Sequence, residues 1–316
     1  MKTPLSVLIL TRDEAANIAA CLESLRWADE VFVVDSLSRD RTVEIAKGLG
    51  ARVYPHPFEG FAKQRNWALD NLPFAHEWVL ALDADEQVPP ALAEEISRTL
   101  RDPQAAHTGY YLKRRIIFQG RRLHHGGLYP VWILRLFRRE AGRFEDRPMN
   151  EHVVLRGAAG YLKHPFDHRS CPSLSDWIAK HNTYADLMAE EYECETSGAG
   201  YRDSIPASLW GGQVERKRWM KLHFWNRFPL LGRAFLNFAR NYIIRGGFLD
   251  GRPGFIFHVL WSFWFPFLID AKILERRMGG AVPETLPHET LTSERRASEE
   301  APVGFAPSDH LGSGKP

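Results

Sequence analysis

Trp78-Val79-Leu80-Ala81-Leu82-Asp83-Ala84-Asp85-Glu86 is the stretch on which the fold turns. Five apolar residues in a row stop at two carboxylates spaced i and i+2, with a third acid behind them. Such a run predicts a buried strand. The acids then fall at its C-terminal end, where open α/β sheets bind ligands. On an extended backbone Asp83 and Asp85 point to the same side. Two hard oxygen ligands on one side suit Mg2+ or Mn2+, and the ion would in turn hold phosphates. The plainer reading is a strand-end turn, with Val88-Pro89-Pro90 opening the next helix.

Working outward, the same pattern repeats. Residues 5–10, 31–34 and 51–54 read as strands, and 15–25, 43–49, 61–72 and 90–100 as helices. Alternation at this spacing predicts a parallel, doubly wound sheet with right-handed crossovers. Asp35 ends the second strand and Glu14 follows the first, so topology gathers Glu14, Asp35, Asp83 and Asp85 at one sheet edge. Helix capping and turn chemistry explain any one of these acids equally well. Ser38-x-Asp40-x-Thr42 offers N-cap chemistry for the helix from Val43. No Gly-x-Gly-x-x-Gly or Walker pattern is present, so phosphate would be held through metal and side chains.

The 316 residues suffice for one large domain or two. Three cysteines, an odd number without metal-ligand spacing, argue against a disulfide framework and for a reducing compartment. No signal-peptide pattern is expected from Leu5–Leu10, which is short and runs into a strand-turn pattern. The net charge is only +2, but nine Lys or Arg face two acids between Glu215 and Arg252.

Three motifs in order carry a resemblance: Ser6-Val7-Leu8-Ile9-Leu10-Thr11-Arg12-Asp13-Glu14, then Val33-Val34-Asp35-Ser36-Leu37-Ser38-Arg39-Asp40-Arg41-Thr42, then Asp83-Ala84-Asp85. Together they resemble glycosyltransferase family 2, whose inverting members have the GT-A fold. More loosely, Tyr129-Pro130, Arg135–Arg139, Asn150-Glu151-His152, His164-Pro165-x-x-His168 and Lys180-His181-Asn182-x-Tyr184 resemble the subgroup of lipopolysaccharide-core glucosyltransferases. The resemblance implies an α/β GT-A domain with a mostly parallel sheet over residues 1–170. It implies that Thr11, Arg12 and Glu14 line the nucleoside pocket and that Asp35 accepts the uracil N3–H of a UDP-sugar. Lys63 and Arg65 would lie near the diphosphate or sugar, Asp83 at the ribose or metal, and Asp85 on the metal, Mg2+ or Mn2+. Leu37 stands where glycine is frequent in that family, and Arg12-Asp13 where Tyr-Asn is usual.

Inverting transfer needs a base that deprotonates the acceptor hydroxyl as it attacks C1. It also needs stabilisation of the charge growing on the leaving diphosphate. Glu145, Asp146 and Glu151 are the candidate bases; the subgroup resemblance favours Glu151, with Asp146 second. Neutral histidine suits Mg2+ poorly, so His168 reads as a donor to the diphosphate or as a structural histidine. Arg135 reads as a contact to donor phosphates or an anionic acceptor, or as a surface pair.

From residue 171 the chain reads as a helical extension to about 278. Residues 279–316, rich in Pro, Glu, Ser, Thr and Gly, read as a disordered tail. Within the extension, cations interleave with Trp and Phe over residues 215–277. That pattern suits an anionic membrane surface on the cytoplasmic side, with 254–269 dipping into one leaflet or packing as a helical hairpin. Nothing else supports nucleic-acid binding. The reading is a peripheral, metal-dependent hexosyltransferase acting on a saccharide or lipid-linked acceptor. The rivals are a non-catalytic membrane scaffold of the same fold and a sugar nucleotidyltransferase.

Overall fold

The structure, a computed structural model, describes residues 2–102, 106–147, 151–169, 173–197 and 205–279. Asn150 and the tail from residue 280 lie outside them.

The first strand, β1 (Thr3–Thr11), is buried on both faces, and Leu5, Val7, Leu8 and Ile9 are fully enclosed. This is why it reads as a continuous apolar run rather than an alternating one. Full burial of each such side chain contributes about 1.5–3 kcal/mol. It lies between β2 (Ala28–Asp35) and β4 (Trp78–Asp83), parallel to both, and β3 (Arg52–Pro55) extends that side. The crossovers are α1 (Ile18–Glu23), α2 (Thr42–Gly48) and α3 (Phe61–Asn71). One apolar layer lies under α1, α2 and α4 (Pro90–Arg101), and the other under α3. Pro90 starts α4, where a missing N–H costs nothing.

Beyond β4 the sheet ceases to be parallel. The order is β3-β2-β1-β4-β8-β6-β11-β5, with β5 (Glu86–Gln87), β6 (Gly109–Phe118), β8 (Val131–Arg138) and β11 (Ala159–Arg169), and β7 (Arg121–Leu123) pairs with β6. The β4–β8, β8–β6 and β11–β5 pairs are antiparallel, while β6–β11 is parallel. The expected mostly parallel sheet is therefore a mixed one. The short loops after residue 118 hold no crossover helix, and short connections favour antiparallel pairing. A separate hairpin joins β9 (Gly142–Phe144) to β10 (Val153–Leu155).

The helices after the sheet are α5 (Leu174–Thr196), α6 (Gln213–His223), α7 (Gly232–Phe238), α8 (Gly251–His258) and α9 (Phe265–Arg277). Ser173 caps α5 by accepting from the Asp176 amide. Ala185 and Ala189 of α5 are fully buried against Phe265, Ile269 and Ile273 of α9, whereas Ile178 of the same helix is exposed. Phe257 of α8 packs on Ile116, Phe118 and Leu123. The helical run that begins at α6 is broken around Phe228-Pro229, since proline there cannot continue a helix. Gly247–Arg277 runs on as one helical stretch, long and apolar enough to cross a membrane, with a mean hydropathy of 1.4 and 33% of its most apolar window buried. By internal contacts the chain divides after Leu274.

Candidate active site

The loops after β1 and β2 are stapled together by side chains. Asp40 accepts from the amides of Ala15 and Thr42, both at 2.9 Å, and Thr42 Oγ1 accepts from the Glu14 amide at 2.8 Å. Asp13 Oδ1 accepts from the Arg39 amide at 2.7 Å, and Ser38 Oγ accepts from the Asp13 amide. The Ser-x-Asp-x-Thr motif therefore ties two loops together, whereas capping of α2 was expected; the residue before α2 is Arg41, and it makes no side-chain cap bond. These bonds also hold Asp13 (φ 52°) and Leu37 (φ 59°) in the left-handed region. Glycine adopts that conformation freely, and another residue pays about 1–2 kcal/mol for it.

Between these loops lie Thr11 and Asp35, both buried. Asp35 accepts from Ser38 through its amide (2.9 Å) and its hydroxyl (2.5 Å). Thr11 Oγ1 is buried with no partner. A buried hydroxyl is rarely left unpaired, so this one is available to a ligand. Arg12 lies half-buried at the rim and leans towards Asp13 at 3.9 Å.

The second half of the site is a lattice of acids and cations. β4 ends at Asp83 and the chain turns at Ala84-Asp85, so the two aspartates do not share the extended backbone first expected. The turn is fixed by β11, because the Arg169 amide donates to Asp85 O at 2.9 Å and His168 pairs with Glu86 across the β11–β5 ladder. Arg65 Nη2 donates to Asp83 Oδ1 at 2.5 Å, and its Nη1 donates to Glu151 Oε1. Arg135 Nη2 donates to Asp83 Oδ2 at 2.9 Å and to Glu86 Oε1 at 2.7 Å, and Glu86 Oε2 accepts from the Asp83 amide at 3.0 Å. Asp85 Oδ2 faces His168 Nε2 at 3.3 Å and Lys180 Nζ at 3.5 Å, and Lys180 also reaches Glu14 at 3.2 Å.

The electrostatics separate these acids into two kinds. Burial pushes the Asp83 carboxyl up, but Arg135 and Arg65 outweigh it and hold it well below the usual range. Burial acts likewise on Asp85, and His168 and Lys180 bring it down to about 2. Burial wins at Glu14, Glu86 and Glu151, all raised above the usual glutamate value despite Lys180, Arg135 and Arg65 respectively. Two aspartates thus stay firmly ionised, while Glu151 takes up a proton more readily than an ordinary glutamate.

The structure brings together Glu14, Arg65, Asp83, Asp85, Arg135, Glu151 and His168. Lys63 is exposed on α3 because residues two apart on a helix face different ways, so it is not gathered with Arg65. Asp146 is exposed and stays outside the cluster. Its neighbour Glu145 is fully buried, but it is consumed by Arg218 (2.8 and 2.9 Å) and by the amides of Ile205 and His152. His164 binds Glu95 of α4 and is structural. Sequence reading assigned no role to Glu86 or Lys180. Both sit in stretches it had quoted, Glu86 as the third acid of Asp-Ala-Asp-Glu and Lys180 in Lys-His-Asn.

A divalent ion fits this donor set in one way. Asp83 already gives both oxygens to guanidinium groups, whereas Asp85 makes only the two longer pairs. Among the described residues no three His, Cys, Asp or Glu side chains form a cage. Mg2+ ordinarily takes one or two carboxylates and completes its shell with substrate phosphates and water, and Asp85 meets that need.

An uncharacterized glycosyltransferase of Rickettsia bellii (strain RML369-C) is 42% identical over 200 residues, covering 59% of this chain and 67% of that one. Lipopolysaccharide core biosynthesis glycosyltransferase LpsC of Rhizobium meliloti (strain 1021) is 28% identical over 292 residues, covering 89% and 96%. Among solved structures, mannosyltransferase PcManGT from Pyrobaculum calidifontis, in complex with GDP-Man and Mn2+, is 17% identical with a TM-score of 0.49, covering 88% of each chain. Residues 6–169, which hold the strand-end loops, the acid lattice and His168, match Glycosyl transferase family 2, and the chain belongs to that family.

Proposed function

We propose that this protein is an inverting hexosyltransferase that moves a hexose from a UDP-linked donor to a saccharide of the lipopolysaccharide core or of another lipid-linked acceptor. The observation that carries the reading is the linkage of Glu151 to Asp83 through Arg65. It couples the one buried, proton-hungry carboxylate of the 145–151 region to the strand-end aspartates. Thr11, Arg12 and Asp35 would receive the nucleoside. Glu151 would take the proton from the acceptor hydroxyl as that oxygen bonds to C1 and the C1–diphosphate bond breaks on the opposite face. Arg65, His168 and Lys180 would take up the negative charge left on the diphosphate. Asp85, with Asp83 behind it, would hold Mg2+ or Mn2+, which when bound supplies Lewis-acid stabilisation of the leaving group. The relative from Rhizobium meliloti, named for lipopolysaccharide core biosynthesis, supports the acceptor class.

Residues 215–277 would rest on the inner face of the cytoplasmic membrane. Exposed Phe224, Phe228, Phe235, Ile243, Ile244, Phe248 and Leu249, among cations, support this reading. The buried Arg233–Asp270 pair argues that α9 packs on the protein rather than crossing the bilayer. The test is binding and hydrolysis of UDP-glucose and UDP-galactose with Mn2+ and with EDTA. Metal-stimulated turnover of one of them is expected. If neither donor binds and hydrolysis is equal in both conditions, the donor assignment fails.

A further inference from the structure

The two strand-end aspartates are held in different ways. Asp83 lies between two guanidinium forks, and the side chains of Arg65 and Arg135 are only 4% and 9% exposed. Burial fixes those counter-charges in place. Asp85 instead faces His168 at 3.3 Å and Lys180 at 3.5 Å, whose side chains are 30% and 31% exposed, although its own is only 10% exposed. A deeply set carboxylate thus has counter-charges that are able to leave it. Lys180 is also shared. The same ammonium donates to Glu14 Oε1 at 3.2 Å, so one cation bridges the loop after β1 and the turn after β4.

The root of Lys180 is pinned, while its tip is not. Beside it on α5, His181 stacks on Trp177 with ring centroids 3.5 Å apart, and its Nδ1–H donates to the Trp177 carbonyl at 2.7 Å. Both rings are buried. One turn further on, Tyr184 packs at right angles to Phe61 of α3, with 6.1 Å between centroids. Residues four apart share a helix face, so Lys180 and Tyr184 both look towards α3 and the strand ends. Lysine, unlike arginine, carries a compact charge on a flexible four-carbon stem. Its ammonium can swing between neighbouring anions while α5 stays in place.

We propose that Lys180 is a tethered counter-cation of the Asp85 metal position: it neutralises Asp85 and Glu14, gives way when a divalent ion takes the Asp85 carboxylate, and then moves to the donor diphosphate. A cation that must be displaced disfavours the ion on its own, and a diphosphate that receives the displaced ammonium favours it. Metal and nucleotide thereby assist each other, each raising the other's affinity by the same factor. Lys180 is in this sense a positioning residue, which makes Asp85 selective for an ion that arrives with a nucleotide. The inference rests on reading Asp85 as a metal ligand.

The test counts Mn2+ bound to the full chain from the electron paramagnetic resonance signal of the free ion, with and without saturating UDP. K180Q and K180M are expected to tighten Mn2+ binding without UDP by about tenfold, within the usual coupling range of about 5–150-fold, and to shrink the gain that UDP gives. K180R keeps the charge and adds a fork that grips carboxylates, so it should bind Mn2+ no better than the parent. R169Q removes an equal charge from an exposed side chain nearby, one whose guanidinium donates to Gln87, and should change Mn2+ affinity far less. Mn2+ affinity without UDP that is unchanged or weaker in K180Q and K180M would overturn the proposal. An equal gain in R169Q would overturn it too, by assigning the effect to diffuse charge. A gain from UDP that stays undiminished in K180Q would overturn the move to the diphosphate. Should the neutral variants lose the fold, K180R still decides, since tighter Mn2+ binding there would refute displacement. Mn2+ bound by D85N as well as by the parent would instead sink the reading of Asp85 as a metal ligand, and the proposal with it.

Discussion

Replacing Arg135 with glutamine tests whether the acid lattice is held by charge matching. Arg135 is buried and bridges Glu86 at 2.7 Å and Asp83 at 2.9 Å. Removing one partner of a buried pair costs about 3–5 kcal/mol, because the other charge stays behind unpaired. The Glu86 side chain is 2% exposed and carries most of this cost, whereas that of Asp83 is 37% exposed and keeps Arg65, so its share is discounted. Glu86 also retains the Asp83 amide. The lower end, about 3 kcal/mol, is therefore expected, a fall in melting temperature of about 6–12 °C for a chain of this size. The loss must also depend on pH. Burial already raises the Glu86 carboxyl against Arg135, and without Arg135 it rises further. A group that binds protons more tightly folded than unfolded destabilises the fold progressively as pH rises from its ordinary value, 4.5 here, to its raised folded value. The variant's deficit should thus be large near pH 8 and shrink on acidification towards pH 5. Thermal unfolding of both proteins across that range decides it. A variant as stable as the parent at pH 8, or a deficit that widens on acidification, would refute the reasoning.

Glu151→Gln should lower kcat by about 10²–10⁴-fold while calorimetric UDP affinity stays near the parent's. In the parent, kcat/KM should fall as pH drops through a value above the ordinary glutamate range, since burial raises Glu151 and the base works only deprotonated; the variant's profile should lose that limb. Asp85→Asn should abolish the Mn2+-dependent part of UDP binding and leave the melting temperature within a few degrees, because Asp85 makes only the longer pairs of the site. Lys63→Ala and Asp146→Asn, at exposed positions outside the lattice, should each leave kcat/KM within about twofold of the parent, as for surface substitutions generally.

The first half of the sheet is legible because its central strands β1 and β4 are buried along nearly their whole length and successive strands are separated by a helix. Val79–Leu82 and Leu5–Leu10 can only be central strands, and their order follows from right-handed crossovers. The second half resists the same reading. β11 spells Ala-Gly-Tyr-Leu-Lys-His-Pro-Phe-Asp-His-Arg, which is neither apolar nor strictly alternating. Its polar positions are satisfied by partners from distant elements: Arg115 for Asp167, Glu95 of α4 for the Lys163 and His164 amides. A strand stabilised by such long-range bonds leaves no local period to detect.

The same physics explains which site residues could be anticipated. Asp35, Asp83 and Asp85 announce themselves because strand topology alone delivers them to one edge. Strand topology says nothing of Glu151 and Glu145, largely enclosed acids of the same stretch, and only the resemblance points to Glu151. What separates them is a cation from elsewhere: Arg218 on α6 closes off Glu145 with two bonds, while Arg65 on α3 draws Glu151 to the aspartates across 86 positions of sequence. Among the acids of this stretch, the partner decides between scaffold and chemistry. A carboxylate whose bonds all go to elements of the framework is fixed in one role. Glu151 shares its guanidinium partner with Asp83, so it stays coupled to whatever binds at the strand ends.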